Sequence, residues 1–240
     1  YNNGNLTLTN STVSGNSATN YGGGINFGSG TLTVINSTIS GNTANYGGGI
    51  RNEGGTLTAT NSTFSDNEAT ISGGGMYNSG TMYLAGTIFA NSTSGGNCVN
   101  NGGTLTDNGY NLSDDASCGF SGTSANNATL NLSALSVTTT PGQQVHTPQA
   151  GSDAIGAIPY GTTINNNGVT LACNQTTTDQ LGADRPITAL TACTAGAVEV
   201  EMPPICPAWT VTTAAELSDC ITLANNNESP SPTADTITLG

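Results

Sequence analysis

The sequence predicts an all-β protein, a right-handed parallel β-helix of about 25 residues per coil with one short capping α-helix near the C-terminus. Residues 30–54 read GTLTVINSTISGNTANYGGGIRNEG, and the segments on both sides repeat this pattern closely. A period of this size is typical of solenoids, in which each repeat buries its apolar face only against its neighbours. The residues that mark the register lie 26, 25, 25 and 23 positions apart: Leu6, Leu32, Leu57, Met82 and Leu105.

Each repeat contains three short β-type segments, which in the second coil are residues 32–36, 38–42 and 48–52. Glycine- and asparagine-rich corners separate these segments, as turn chemistry requires. A leucine-rich repeat is the competing solenoid at this period, but it would need a longer leucine pattern and often a helical segment. The three-segment coil therefore favours a parallel β-helix whose coils stack at about 4.8 Å.

Equivalent positions in successive coils predict four apolar columns inside the solenoid. Ile39 is expected to point inward, and its neighbour Thr38 is expected to point outward, because successive side chains of a strand alternate between faces. The columns are Leu6, Leu32, Leu57, Met82 and Leu105; Leu8, Val34, Ala59 and Leu84; Val13, Ile39, Phe64 and Phe89; and Ile25, Ile50 and Met76.

Polar corner residues recur with the same period. Stacked asparagines can hydrogen-bond to one another along the axis, so two asparagine ladders are predicted. Triple glycines at residues 22–24, 47–49 and 73–75 suit tight corners that need a positive φ or a close backbone approach. A phosphate-binding loop is the rival interpretation, but three copies without a nearby lysine favour the structural role. The ladders comprise Asn10, Asn36 and Asn61, and Asn16, Asn42 and Asn67.

The charge of the chain limits its partners. Only 7% of residues are charged, the net charge is -13, and the basic residues are Arg51 and Arg185. This composition excludes an electrostatic footprint for nucleic acid and disfavours binding to anionic membrane surfaces or polyanionic sugars. No apolar run is long enough to span a membrane. Tyr1 is interpreted as the start of a processed chain or of a fragment.

Six cysteines, an even number, indicate an oxidising, extracellular setting. They allow fifteen pairings, and proximity in sequence favours three local disulfides. Zinc is the alternative, but no C-x-x-C motif is present and the chain has a single histidine. No cofactor is therefore expected. The favoured pairs are Cys98 with Cys118, Cys173 with Cys193, and Cys206 with Cys220.

Ten Asn-x-Ser/Thr sequons make glycans candidate partners of the chain. Three of them belong to the predicted asparagine ladder, and a structural role is favoured for those. A further sequon lies at Asn5, and the candidates for glycosylation are Asn91, Asn111, Asn127, Asn131, Asn174 and Asn227.

The organisation changes along the chain. Residues 1–133 are predicted to form regular coils, including one marked by Leu130, which lies 25 residues after Leu105. Residues 134–200 form an irregular closing region that contains short β-type runs at 162–173. Residues 201–212 are a linker. Residues 213–240 contain a helix at 213–225, begun by a capping box of Thr213 and Glu216, and a strand at 235–239.

Several runs resemble secreted bacterial right-handed β-helix surface proteins that have a choice-of-anchor type C-terminal region. The runs are DNGYNLSDDASCGF at 107–120, TPQAGSDAIGA at 147–157, TDQLGADRP at 178–186 and CTAGAVE at 193–199. The G-G-G-I repeats are similar to those of polymorphic outer-membrane proteins. The resemblance implies an extracellular or cell-surface location. In that family a segment of helix, loop and D-T-I-T opens the β-helix, whereas here it follows the closing region.

Because β-helices also include polysaccharide lyases and hydrolases, acidic and basic residues were considered for catalysis. Asp114 and Asp115 could act as a glycosidase acid and base, although a solvated turn is favoured. Arg51 is expected to stand alone at a corner. Arg185 is expected to pair with Asp179, Asp184 or Glu199, and His146 to be a loop residue without a serine or cysteine partner. Calcium ligands were considered at Asp66, Glu68 and Asp107, which lack a known ligand spacing.

Three function classes follow from these observations. The favoured one is a non-enzymatic, extracellular structural or adhesive protein that assembles into a homopolymer by head-to-tail contacts. The others are a carbohydrate-active β-helix enzyme and a monomeric surface adhesin. The tail at 213–240 would cover the open first coil of a neighbour, or fold back onto its own chain. The residues expected at that interface are Leu6, Leu8, Leu217, Ile221, Asp235, Ile237 and Leu239.

Overall fold

A computed structural model describes residues 1–188 and 191–201. The expected helix and strand of the C-terminal segment, and all of the expected linker except Glu201, lie outside these residues. The third expected disulfide, Cys206 with Cys220, and the glycosylation candidate Asn227 also lie outside them. The same holds for the part of the expected interface that belongs to the tail, which is Leu217, Ile221, Asp235, Ile237 and Leu239.

The described residues form an all-β parallel solenoid of about four coils, with no helix among them, which confirms the predicted fold class. The first three coils and most of the fourth are built from β1 Leu6–Thr9, β2 Thr12–Ser14, β3 Ile25–Phe27, β4 Thr31–Ile35, β5 Thr38–Ser40, β6 Thr43–Tyr46, β7 Ile50–Asn52, β8 Thr56–Thr60, β9 Thr63–Ser65, β10 Glu68–Ser72, β11 Met76–Asn78, β12 Thr81–Ala85, β13 Ile88–Ala90 and β14 Cys98–Asn100. The stack ends with β15 Thr104–Asp107 and β16 Leu112–Ser113, and a hairpin follows, β17 Thr163–Asn166 and β18 Val169–Ala172.

Three parallel sheets run along the solenoid, each taking one strand from successive coils. Sheet 1 has the order β1-β4-β8-β12-β15, sheet 2 the order β2-β5-β9-β13-β16, and sheet 3 the order β3-β7-β11-β14. A shorter ladder joins β6 and β10, so the second and third coils have a fourth strand that the three-segment pattern did not predict. The strands of the first coil, β1, β2 and β3, are edge strands of their sheets.

The register of the sheets confirms all four predicted apolar columns. Leu6 pairs with Leu32, Val13 with Ile39, and Ile25 with Ile50, and the same alignment continues coil by coil. Ile39 is fully buried. Phe64 and Phe89 stack with ring centroids 4.7 Å apart. The column of sheet 3 extends one position further than predicted, because Met76 pairs with Cys98.

One of the two predicted asparagine ladders is present. Asn16 Nδ2 donates to Asn42 Oδ1, and Asn42 Nδ2 donates to Asn67 Oδ1, both at 3.0 Å. The backbone N–H of Asn42 also donates to Asn67 Oδ1, and Asn67 Nδ2 donates to the carbonyl of Ile39 at 2.8 Å. The ladder therefore provides partners for backbone groups at a buried corner, which would otherwise be unsatisfied.

The prediction for Asn10, Asn36 and Asn61 was wrong. These residues have φ values of 48°, 45° and 46°, so they provide the left-handed turn after each strand of sheet 1. Asparagine is one of the few non-glycine residues that adopts this conformation readily. The side chains do not bond to one another; Asn36 Nδ2 donates instead to the carbonyl of Thr178.

A second ladder, not predicted, lies in sheet 3. Asn52 Nδ2 donates to Asn78 Oδ1, and Asn78 Nδ2 donates to Asn100 Oδ1, both at 2.8 Å. Asn52 Oδ1 also accepts from the N–H of Gly55. The asparagines recur at residues 52, 78 and 100, so the sequence contains the signal for this ladder.

We expect Asn67→Ala to lower the free energy of unfolding by about 1 to 3 kcal/mol, because it leaves the buried N–H of Asn42 without its acceptor and removes one hydrogen bond to the carbonyl of Ile39. Asn16→Ala is the matched control. Asn16 is exposed at the end of the same ladder and should lose less than about 1 kcal/mol. Urea unfolding followed by circular dichroism measures both. Equal losses in the two variants would show that the ladder does not satisfy buried groups.

The triple glycines form corners, as predicted. Gly22, Gly47 and Gly73 have φ values of 58°, 65° and 69°. A Cβ on Gly23 would lie 2.5 Å from the carbonyl oxygen of Thr43 and 2.6 Å from that of Gly48. The close stacking of backbone on backbone at this corner therefore requires glycine.

The far end of the solenoid is covered by the chain that follows it. The Cys98–Cys118 disulfide ties this segment to β14, and Phe120 packs beside Phe89 with ring centroids 6.0 Å apart. Leu112 forms a β-bridge with Ala125. Leu130 was expected to mark another coil, but it packs in a second core instead, because β15 is the last strand of sheet 1.

The closing region covers the outer faces of sheets 1 and 2. Apolar residues on the outside of the fourth coil, such as Ile88, pack against Ile158 and Leu171 of this region to form the second core. Thr38 was expected to be exposed, but it is fully buried, and its Oγ1 donates to Gln180 Oε1 at 2.7 Å. The alternation of inward and outward side chains was predicted correctly. The packing of the closing region over the outer face of sheet 2 was not predicted. Thr38→Asn is therefore expected to destabilise the protein rather than to be neutral.

The short β-type runs predicted at 162–173 form an antiparallel hairpin, β17 and β18, that lies on sheet 1. Asn166 Nδ2 donates to Thr60 Oγ1 at 2.8 Å, and Asn167 Nδ2 donates to Thr58 Oγ1 at 2.9 Å. The second expected disulfide, Cys173–Cys193, holds the end of this hairpin to the closing region. A disulfide that closes a loop of this length stabilises by about 3 kcal/mol in the loop-entropy model.

Among the residues described, none belongs to a helix with the length and hydropathy needed to cross a membrane.

Candidate functional site

Asp114 and Asp115 bind the loop that they border. Asp114 accepts hydrogen bonds from the N–H of Asn91 at 2.7 Å and from Asn97 Nδ2 at 2.6 Å. Asp115 accepts from the N–H of Asn97 at 3.0 Å and from Ser117 Oγ at 2.6 Å. Asp114 thus binds the side chain of Asn97 and Asp115 binds its backbone N–H, and neighbouring donors occupy the oxygens of both carboxylates. This arrangement is typical of a structural turn rather than of a catalytic acid and base.

The pKa of Asp115 supports the same interpretation. Partial burial acts to raise it, but hydrogen bonds from Ser117, Asn97 and Ser113 together outweigh burial and lower the pKa below its ordinary value. A glycosidase acid needs the opposite shift, since it must remain protonated near neutral pH. Asp115 is therefore an ionised acceptor at neutral pH.

The residues considered as calcium ligands lie at the ends of different strands. Asp107 Oδ1 accepts from Asn111 Nδ2 at 2.7 Å and from Ser124 Oγ at 2.6 Å, which joins the end of sheet 1 to the closing segment. Asp66 lies beside His146, and Glu68 begins β10. In the part of the chain that the structure describes, no three His, Cys, Asp or Glu side chains come together to hold a metal ion.

His146 was expected to be a loop residue without a serine or cysteine partner, but it is buried against sheet 2. Its Nε2 lies 2.7 Å from Ser40 Oγ and 3.5 Å from Asp66 Oδ2, and its Nδ1 lies 2.8 Å from the carbonyl oxygen of Ser133. A catalytic triad places the carboxylate on Nδ1, whereas here that nitrogen donates to a backbone carbonyl. Ser40 is also buried, with an exposed fraction of 2%. His146 therefore attaches the closing region to the solenoid.

Arg185 and Glu199 form a buried ion pair, one of the three pairings expected for Arg185. Arg185 Nη1 lies 3.2 Å from Glu199 Oε2, and both side chains have an exposed fraction of 1%. The guanidinium also donates to the carbonyls of Thr194 at 2.8 Å and Gly196 at 2.7 Å. The N–H of Glu199 donates to Asp179 Oδ2 at 2.9 Å. This network joins 178–186 and 193–199, two of the runs that carry the family resemblance.

Burial shifts the pKa of both partners toward the neutral form. It raises the pKa of Glu199 to about 7, although Arg185 and the hydrogen bonds from Thr194 act to lower it. Burial also lowers the pKa of Arg185, against the charges of Glu199 and Asp179. Each of these buried charges would be strongly destabilising without the other. We call the Arg185–Glu199 pair, together with Asp179, the buried latch, because it holds the closing region together.

A groove lined by aromatic side chains lies on the surface of the first three coils. Tyr21 and Tyr46 form a parallel bridge, and Tyr77 pairs with Arg51 in sheet 3. Ring centroids are 5.8 Å apart for Tyr21 and Tyr46 and 5.4 Å apart for Tyr46 and Tyr77. We call these four residues the tyrosine groove; its volume is about 240 Å³.

Arg51 was expected to stand alone, but it is part of this groove. Its guanidinium carbon lies 4.1 Å from the centre of the Tyr21 ring, and its Nη1 lies 2.9 Å from Glu53 Oε2. The tyrosine groove was not predicted. A signal was present, because Tyr21 and Tyr46 each precede a triple glycine in a Y-G-G-G-I motif.

The glycosylation candidates differ in their surroundings. Asn111 is fully buried, and its Nδ2, the atom that would carry the glycan, donates to the carbonyl of Leu84 and to Asp107. A glycan there would require the loss of both hydrogen bonds, which argues against Asn111 in the folded chain. Asn91, Asn127 and Asn131 are exposed and Asn174 is half-buried, so glycosylation at these four stays a prediction.

Leu6 and Leu8 of the expected assembly interface lie in the first coil. Leu6 and Leu8 are half-buried, whereas Leu32 and Val34 of the next coil are fully buried. In the described chain, nothing pairs with the outer side of β1. Thr56 and Thr81 donate their N–H groups to the preceding coil. N–H directions alternate along a strand, so Thr58, two residues after Thr56, also points its N–H toward the preceding coil. Thr7 is in register with Thr33 and Thr58, and its N–H therefore points away from β4.

Searches for similar proteins do not place the chain in a family. No protein-family model, no curated protein and no solved structure matches it. The parallel solenoid is therefore established from the pairing of its strands. The closer likeness to choice-of-anchor surface proteins stays a resemblance that depends on the short runs quoted above.

Proposed function

We propose that this protein is a non-enzymatic, extracellular structural or adhesive protein whose subunits assemble head to tail. The observation that carries the proposal is the difference between the two ends of the solenoid. The far end is covered by the segment that carries Cys118 and Phe120, whereas no strand of the described residues pairs with the outer side of β1, β2 or β3, and Leu6 and Leu8 are half-buried. Exposed edge strands of this kind accept strands from other chains.

The tail supplies the donor in this proposal. Residues 235–239 read DTITL, which has the alternation of a strand, and residues 213–225 have an amphipathic helical pattern. A strand added to β1 would continue sheet 1 by one position, with backbone hydrogen bonds giving affinity. A head-to-tail contact that does not close into a ring produces a filament.

An extracellular location is supported by the cysteine chemistry. The two disulfides among the described residues form where the repeat is weakest, after the regular coils and in the closing region. Disulfides persist in oxidising compartments. The resemblance to secreted surface proteins points in the same direction.

The non-enzymatic part of the proposal is supported by the surroundings of the acidic residues. The carboxylates of Asp114 and Asp115 are occupied by loop donors, and those of Asp179 and Glu199 belong to the buried latch. Release of reducing sugar from a polysaccharide that disappears in Asp114→Asn would contradict this part and favour the carbohydrate-active enzyme.

Deleting residues 203–240 should abolish long polymers while leaving the solenoid folded. The purified proteins would be compared by negative-stain electron microscopy and analytical ultracentrifugation, with circular dichroism reporting the β content. Fibres formed by the truncated protein, or an intact protein that stays monomeric at high concentration, would contradict the proposal. In the second case the tail covers its own first coil.

A point variant tests the acceptor side. Thr7→Pro removes an N–H that no described residue uses and should abolish polymers in the full chain. Thr7→Ala keeps this N–H and is the matched control, so it should polymerise like the natural chain. Polymers of equal length from both variants would place the contact elsewhere.

A further inference from the structure

We propose that the tyrosine groove binds a neutral polysaccharide that runs along the solenoid axis. The groove is defined by Tyr21, Tyr46, Arg51 and Tyr77 in the first three coils. This site is separate from the acceptor strand β1, so carbohydrate binding does not depend on head-to-tail assembly.

The shape of the site follows from the glycine corners. Tyr46 directly precedes the corner at residues 47–49, and Arg51 lies two residues after it. The corner carries no side chain in any of the three coils, because backbone stacks on backbone there. Two rows of outward side chains therefore border a strip of backbone parallel to the axis. They meet above this strip, where Arg51 lies against the Tyr21 ring and Tyr46 lies against Tyr77.

The chemistry of the lining matches a sugar. Each lining side chain has a flat π face and a polar group, either a phenol hydroxyl or a guanidinium, and no aliphatic side chain contributes. A pyranose ring is amphipathic in the same way, with C–H groups on its faces and hydroxyls at its rim. Phenol hydroxyls both donate and accept, as sugar hydroxyls do. Aromatic rings provide large contact areas at a small loss of side-chain entropy.

The groove contains an unmatched donor. Arg51 Nε is buried and makes no hydrogen bond among the described residues, although Nη1 is paired with Glu53. Buried polar groups in folded proteins are nearly always satisfied. A ligand hydroxyl would accept from this donor once the Arg51 side chain moves away from the Tyr21 ring, because Nε is covered in the free protein.

The charges favour a neutral ligand over an acidic one. The positive charge of Arg51 is balanced by Glu53, whose Oε2 lies 2.9 Å from Arg51 Nη1. The guanidinium also makes a cation–π contact with the Tyr21 ring. The whole chain has a net charge of -13, which repels uronic-acid polymers and nucleic acids. The groove therefore has no net attraction for an anion.

The length of the groove sets the size of the ligand. Its three tyrosines come from three successive coils, with centroid separations of 5.8 and 5.4 Å. Coils stack at about 4.8 Å, close to the length of one sugar unit in an extended chain, so about three sugar units would be in contact. A proline-rich peptide also suits aromatic grooves. It offers backbone acceptors but few donors, so it matches the phenol hydroxyls less completely.

Isothermal titration calorimetry on the full chain tests the proposal. The probes are soluble mixed-linkage β-glucan, galactomannan and dextran, with polygalacturonate as the acidic polysaccharide and a polyproline peptide as the competing ligand. At least one neutral polysaccharide should bind more tightly than both comparison ligands. Calorimetry measures occupied grooves whether or not subunits are assembled, so failure here is distinguishable from failure of the filament proposal.

Variants locate the binding to the groove. Tyr46 contacts both other tyrosines, so Tyr46→Ala should weaken binding at least tenfold, whereas Tyr46→Phe keeps the ring and should weaken it less than threefold. Tyr160→Ala is the matched control, because Tyr160 is 40% exposed and lies outside the groove. Unfolding midpoints would verify that Tyr46→Ala is folded. No binding of any neutral polysaccharide, tighter binding of polygalacturonate or the peptide, or equal binding by Tyr46→Ala and Tyr160→Ala would overturn the proposal.

Discussion

Replacing Ile39 with asparagine is expected to lower the free energy of unfolding by about 4 to 5 kcal/mol. Ile39 is fully buried in the column between Val13 and Phe64. The substitution removes apolar contacts on both sides and places an amide among side chains that offer it no hydrogen bond. Both terms act in the same direction, so the effect is larger than that of a simple truncation.

Thr7→Asn is the control for this substitution. Thr7 is exposed in β1, and an asparagine there should change the stability by less than about 0.5 kcal/mol. Urea unfolding of both variants, followed by circular dichroism, provides the comparison. If the Ile39 variant unfolds at the same urea concentration as the control, the inward column of sheet 2 is assigned to the wrong face.

Replacing Arg185 with methionine is expected to destabilise the protein by about 3 to 5 kcal/mol at pH 8, because it leaves the carboxylate of Glu199 buried without its partner. The carbonyls of Thr194 and Gly196 also lose their donors. Arg51→Met is the matched control, since Arg51 forms an ion pair with the half-exposed Glu53 and should lose less than about 1 kcal/mol.

The loss in the Arg185 variant should depend on pH. Burial raises the pKa of Glu199 in the folded chain to about 7, from an ordinary value of 4.5. Between these values the folded state holds a proton that the unfolded state has released, so the stability falls as the pH rises from about 4.5 to about 7. Removing Arg185 raises the pKa of Glu199 further, and the destabilisation should therefore be smaller at pH 5 than at pH 8.

The Arg185→Met and Glu199→Leu double variant separates the charge from the packing. Replacing a buried ion pair by apolar residues is often neutral, so the double variant should recover much of the lost stability and lose the dependence on pH. Unfolding midpoints at pH 5, 6, 7 and 8 would be compared for all variants. An Arg185→Met loss that is the same at every pH would show that Glu199 stays exposed to water.

The repeated part of the fold was accessible from sequence because its contacts are periodic. Leu32 pairs with Leu57 for the same reason that Leu6 pairs with Leu32, so one register predicts every column. The glycine corners and the ladder from Asn16 to Asn67 follow from the same period. Residues that pair at a fixed separation of about 25 positions can be predicted from the repeat alone, without knowing how the closing region folds.

The candidate site was only partly accessible. The Y-G-G-G-I motif places Tyr21 and Tyr46 in one row, which the repeat itself could have indicated. Tyr77 is different, because in the third coil Ser72 occupies the position before the glycines and the tyrosine falls in sheet 3 instead. The groove forms because two rows meet across a corner. That meeting depends on the angle of the corner, which a one-dimensional pattern does not contain.

The sequence by itself determined the parallel solenoid, its interior columns, and the disulfides Cys98–Cys118 and Cys173–Cys193, since all of these depend on a short period or on local proximity. Only the tertiary structure decided which outer faces are covered. Thr38 is buried by Gln180, which is 142 residues away, and His146 is buried against Ser40, 106 residues away. The closing region has no repeat, so its side chains find their partners through the shape and polarity of a surface that exists only after the coils have stacked.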